Sequence, residues 1–239
     1  ADTRLVPAMA ALDPQLMTGL PPAVTAATGM DALTHAIEAF LGQWATETTD
    51  RMALAAVGLV YENLRVAHRE GRNLEARERM SLAATYAGLA FTRANVGYVH
   101  AIAHQLGGKY HTPHGLANAI LLPHVLRFLA PAVSKRLAQL AAAARVGSAK
   151  DRPAVLARKF LDSVEKLNHD LGIPRTLDAL KEKDIPALAK AACWEADTNY
   201  PVPKYMSPEE CVAILRRVLP GAAKPARARR KSAPRRKSR

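Results

Sequence analysis

The sequence predicts an all-α fold, a multi-helix bundle of eight or nine helices, and three observations predict it. Apolar residues recur at three- and four-residue spacing over most of the chain, as amphipathic helices require. The breaks in that pattern fall at glycine, proline and Asx/Thr clusters, where helices start and stop. Only one short apolar run, residues 5–13, reads as a strand, and no second convincing run follows to pair with it.

After Pro21-Pro22 the first helix is expected over residues 23–41, with Met30, Leu33, Ile37 and Phe40 on one face. Thr48-Thr49-Asp50 is a start signal for a second helix, Met52–His68, whose apolar positions are Leu54, Val57, Leu59, Val60 and Leu64. Gly71 and Asn73 separate it from a third over 74–92, expected to bury Met80, Leu82, Ala83, Tyr86, Leu89 and Ala90. Gly97 precedes a short segment through Val99, Ile102, Ala103 and Leu106, closed by Gly107-Gly108. Beyond Pro113, Leu116–Leu129 is apolar enough for a central buried helix. Further helices are expected over 133–146, 153–171, 185–196 and 207–218, joined by Gly172-Ile173-Pro174 and Tyr200-Pro201-Val202-Pro203.

Composition narrows the class of function. The 239 residues are ample for a core, and no run approaches the roughly 18–20 apolar residues of a membrane span. The start lacks a signal-peptide layout and an initiator Met, so a processed product or a fragment is expected. Cys193 and Cys211 are too few and too far apart for a disulfide scaffold, which points to a reducing, cytoplasmic setting. The net charge of +13 is local: nine Lys and Arg and no acids lie between Leu219 and Arg239, and without them the body carries +4. That tail has no aromatic residue. It is expected to be a solvated, disordered extension whose contact with nucleic acid would be non-specific.

The chemistry concentrates in residues 100–114, which hold four of the eight histidines: His100, His104, His111 and His114. Upstream, Asp31 and His35 are four apart, so on a helix they project from one face. His100 and His104 repeat that spacing, and His114 opens a new segment after a turn. Imidazoles with a carboxylate suit a divalent transition metal, and helix bundles build such sites from inward-facing residues on separate helices. Spacing alone does not choose among iron(II), zinc, manganese and nickel. His111 reads as a surface or pocket-lining residue, His124 as a core residue or one backing the site, and His68 and His169 as surface residues.

Residues Gly29–Glu38 and Gly97–Gly108, continuing through Thr112–His124, resemble the two signature regions of the iron-containing (group III) alcohol dehydrogenase family. Asp13-Pro14, Gly19-Leu20-Pro21, Thr25–Gly29 and Tyr200–Met206 resemble the same family, and the likeness covers about residues 5–218. It implies that Asp31, His35, His100 and His114 bind the metal. It implies that His104 is not a ligand and lines the cleft near the nicotinamide ring, as a catalytic and cofactor-contacting proton relay. Gln105 stands where many relatives have Pro. The resemblance further implies iron(II), with zinc or manganese possible on the same ligands, and NAD(P). The implied reaction interconverts a small primary alcohol and its aldehyde by Lewis-acid-assisted hydride transfer, in an enzyme expected to be a homo-oligomer.

The family resembled pairs an N-terminal α/β nucleotide-binding domain with a helical metal-binding domain, in the dehydroquinate synthase-like fold. This sequence has no Gly-rich phosphate loop between a strand and a helix. The resemblance therefore divides the chain into residues 1–22, a remnant of the last strand and linker of the missing domain; 23–218, the helical metal-binding domain; and 219–239, the tail. Little or no dehydrogenase activity is expected of this chain alone. The other reading is a non-catalytic helical metal-binding or interaction module.

Overall fold

The computed structural model describes residues 7–221, and among these it contains eight α-helices and no strand. They are α1 (Pro22–Leu41), α2 (Glu47–Arg69), α3 (Leu74–Ala94), α4 (Tyr98–Tyr110), α5 (His114–Ala143), α6 (Pro153–Asp170), α7 (Ile185–Asn199) and α8 (Pro208–Arg217). Short 3-10 turns at Pro14–Met17 and Glu182–Asp184 precede α1 and α7. Residues 7–13 form no regular structure; a strand exists only by pairing, and no described segment offers it an edge. The tail beyond residue 221 lies outside the described residues.

α1, α2 and α3 pack on one another; α1 also packs on α5, which in turn carries α4 and α6, while α7 joins α4 to α8. Met30, Leu33, Ile37 and Phe40 are fully buried, as their spacing predicts. α1 is in fact buried nearly all round, because α2 and α3 cover one side and α5 the other. Two glycines allow that closeness. A Cβ on Gly29 would lie 2.3 Å from Leu64 Cδ1 of α2, and one on Gly115 of α5 would lie 2.4 Å from the Ala27 carbonyl oxygen of α1.

Four local expectations are corrected. α2 begins at Glu47, because Thr46 is its N-cap and exchanges hydrogen bonds with Thr49 in a capping box. On α3 the inward stripe is alanine (Ala76, Ala83, Ala87, Ala90 and Ala94), which lets the helix approach its neighbours, and Leu89 is exposed. Gly107-Gly108 does not close α4: the helix runs to Tyr110, and His111 makes the turn in the left-handed region at φ 55°. Finally, the segments expected as two helices around Pro131 form the single 30-residue α5, bent where Val133 leaves helical geometry. By length and composition α5 could cross a membrane, contrary to the sequence expectation, but it is mostly buried as the central helix of the bundle.

Candidate metal centre

Three helices aim side chains at one point. Asp31 and His35 come from the middle of α1, His100 from the first turn of α4, and His114 is the first residue of α5. The left-handed turn at His111 reverses the chain so that the start of α5 returns beside α4. Asp31 Oδ1 lies 3.5 Å from His114 Nε2, 3.7 Å from His100 Nε2 and 4.0 Å from His35 Nδ1. One donor atom from each of the four residues lies within 4.8 Å of all the others. Metal bonds of ~2.0–2.2 Å at tetrahedral angles place donor atoms about 3.4 Å apart, so one carboxylate and three imidazoles at this spacing fit a single divalent ion.

The electrostatics leave the imidazole lone pairs available. The His35 ring is pushed down to about 4, chiefly by burial and then by His100, with Asp31 and Glu38 opposing. His114 is lowered too, again mainly by burial. Neutral rings can ligate a metal, whereas protonated ones cannot. His35 is clamped against Phe91, with ring centroids 4.3 Å apart and the planes nearly parallel.

Glu38, one turn beyond His35 on α1, is buried behind His100. Its carboxylate lies 2.6 Å from His100 Nδ1 and accepts the backbone N–H groups of Gly97 at 2.9 Å and Val99 at 2.7 Å. Because the carboxylate accepts at Nδ1, that nitrogen carries the proton and Nε2 turns its lone pair toward Asp31. A carboxylate behind a histidine fixes ring and tautomer in this way at many metal sites. Gly97 is required here, since a Cβ at that position would fall 2.9 Å from Glu38 Oε1.

Asn118, one turn into α5 from His114, is fully buried. Its amide donates to Asp31 Oδ1 at 2.6 Å and lies 3.0 Å from His114 Nε2 and 3.2 Å from His100 Nε2. Its Oδ1 has no partner among the described residues. A buried amide pressed on three lone pairs marks a polar site that the protein's own groups do not fully satisfy.

His104 is not part of the four-residue cluster. Its Nδ1 lies 2.6 Å from Glu195 Oε1 of α7, and its ring stacks on that of His114 at 5.4 Å. His111 is exposed. His124 is half-buried among Arg127, Arg217 and Glu165, so it does not back the site. His169 is exposed and His68 half-buried. Sequence reasoning singled out none of Glu38, Asn118 and Glu195. Glu38 was recoverable, because it follows His35 by three on a helical face, and Asn118 follows His114 by four. Nothing in the sequence links Glu195 to His104, 91 residues away.

For a dinucleotide the residues present do not fit: no Gly-rich loop between a strand and a helix exists among the described residues.

A family model for the C-terminal part of the Fe-containing alcohol dehydrogenase family matches residues 25–219. The chain is 44% identical over 218 residues to 1,3-propanediol dehydrogenase of Klebsiella pneumoniae, covering 90% of this chain and 56% of that protein. It is 41% identical over 220 residues to alcohol dehydrogenase 4 of Saccharomyces cerevisiae, with the same two coverages. Among solved structures, a 1,3-propanediol oxidoreductase superposes with a TM-score of 0.83 at 44% identity, over 87% of this chain and 55% of that one. The chain thus spans little more than half the length of these relatives. On this match and on its all-helical architecture, the chain belongs to the Fe-containing alcohol dehydrogenase family and corresponds to that family's C-terminal domain.

Proposed function

We propose that this chain is the metal-binding half of an alcohol dehydrogenase, with Asp31, His35, His100 and His114 as ligands to one divalent ion. The observation that carries the reading is the convergence of those four donors, with His100 held from behind by buried Glu38. Iron(II) is the ion proposed, from the family; zinc or manganese would accept the same donors. Bound there, the ion would supply Lewis acidity toward an alcohol or carbonyl oxygen, and NAD(P) held by the complete protein would supply the hydride acceptor.

The chain's own residues divide the remaining work. Glu38 holds His100 in one tautomer, and Asn118 orients Asp31 through its amide. Phe91 fixes the plane of His35. His104 and His114, both solvent-exposed and stacked, line the opening through which a small alcohol or aldehyde would enter. The substrate proposed is a small primary alcohol or its aldehyde, in keeping with the names of the relatives. The setting proposed is the reducing cytoplasm, where the two buried cysteines stay as free thiols.

Metal analysis of anaerobically purified protein tests the reading. Stoichiometric iron or zinc is expected in the wild-type chain and its loss in His100→Ala; unchanged metal in the variant would sink the ligand assignment. NAD-linked oxidation of ethanol or butanol is expected to be negligible with this polypeptide alone, because its described residues offer no pyrophosphate cradle.

A further inference from the structure

Outside the four-donor cluster, one carboxylate gathers more partners than a surface helix needs. Glu195 of α7 accepts from three donors that come from two different parts of the chain. Tyr200 Oη donates to Oε1 at 2.6 Å, Gln105 Nε2 donates to Oε2 at 2.7 Å, and His104 Nδ1 lies 2.6 Å from Oε1. None of the three is Lys or Arg. Tyr200 is half-buried, and burial, followed by its bond to Glu195, raises its hydroxyl well above the ordinary range, so it stays protonated and donates to the carboxylate. The Gln105 amide reaches Glu195 while leaning on the Ala101 carbonyl at 3.3 Å. With two neutral donors fixed on it, the carboxylate is an acceptor, and its third partner must bring a proton.

We propose that Glu195 is a positioning residue for His104. It holds that ring in the Nδ1–H tautomer, so that Nε2, without a partner among the described residues, faces the opening of the metal site as a hydrogen-bond acceptor. Two features place that acceptor at the opening. The His104 ring stacks on His114 at 5.4 Å with an interplanar angle of 16°, and it lies 6.0 Å from His100. Both His104 and His114 are 42% exposed, whereas His100 is buried. An acceptor beside a metal-binding cluster selects a ligand carrying O–H. Of the proposed pair it would bond the alcohol, whose O–H it can accept, and not the aldehyde. Gln105 and Tyr200 form the clamp: one holds the outer carboxylate oxygen, the other shares the inner one with the imidazole. The inference deepens the metal-site reading and rests on it.

Long-range nitrogen–proton NMR of the imidazoles, on the zinc-loaded chain, tests the proposal. In the wild type His104 is expected as the Nδ1–H tautomer, with that proton far downfield and protected from exchange. In Glu195→Ala the Nε2–H form is expected to become the larger population, while zinc content and the His100 signals stay as in the wild type. An unchanged His104 tautomer in Glu195→Ala would overturn the inference. So would a wild-type ring already in the Nε2–H form, a measurement that needs no variant. If the chain takes up no zinc, the metal-site reading fails separately, because the tautomer of His104 is read equally well on metal-free protein.

Discussion

Two histidine–carboxylate pairs lie one helical turn apart on α4, each closed at 2.6 Å, and they live in different worlds. His100–Glu38 is buried, with side chains 3% and 4% exposed; His104–Glu195 is 42% and 20% exposed. The inner carboxylate also satisfies two backbone N–H groups at the start of α4, so it caps the helix as well as steering the ring. The outer carboxylate is held by neutral side chains and caps nothing. An identical distance therefore says little about what a pair does. Burial, and the other groups on the same oxygen atoms, decide whether the pair carries stability or only orientation.

Breaking the inner pair should have the largest effect. In Glu38→Ala the Gly97 and Val99 N–H groups lose their acceptor in a buried place, at ~1–3 kcal/mol each, and His100 loses its orienting partner. Unfolding in urea should register about 3 kcal/mol less stability, and chelator competition should find metal affinity lower by about 10–100-fold. If affinity holds while stability falls, Glu38 is a cap and nothing more.

His124 supplies the case of a half-buried ring with no carboxylate of its own, since Glu165 bonds to Arg127. Its ring is pushed down to about 4, first by burial and then by Arg127 and Arg217. Folding therefore favours its neutral form. That contribution is complete above about pH 6.5 and is lost as pH falls toward 4, where the folded ring at last takes a proton. It amounts to on the order of 3 kcal/mol. Urea titrations of metal-free protein between pH 7 and pH 4 should therefore lose stability, and His124→Asn should flatten part of that slope. An equal slope in the variant would assign the loss to other groups. The smallest effect is expected from the outer pair: Glu195→Ala should cost about 1 kcal/mol, because the donors it releases lie at a partly exposed site where water can replace it. A larger loss would erase the distinction between the two pairs.

What the sequence disclosed divides along the same line. Helix spacing exposed the bundle and brought Asp31 with His35, and His100 with His104, onto common faces, because such relations are local and periodic. Relations across helices were closed to it. The bond from Glu195 to His104 depends on α7 lying against α4, and no residue near Glu195 announces that. Glycine also misled: Gly107 and Gly108 lie inside α4, and the stop falls at His111, two residues before Pro113. Pro131 was likewise absorbed into α5 by a bend at Val133, since the packed flanks hold the helix together.

The contact at Gly115 has a consequence for how such a site can change over time. There the main chain of α5 rides directly on that of α1, with no side chain between, one turn from Asp31 and next to His114. The gap between these two donors is thus gauged by backbone against backbone, which no rotamer can widen. Mutations that reshape the entrance can accumulate without disturbing the gauge. In the proposed site the spacing of two ligands is set by backbone against backbone, while the walls around it remain free to drift.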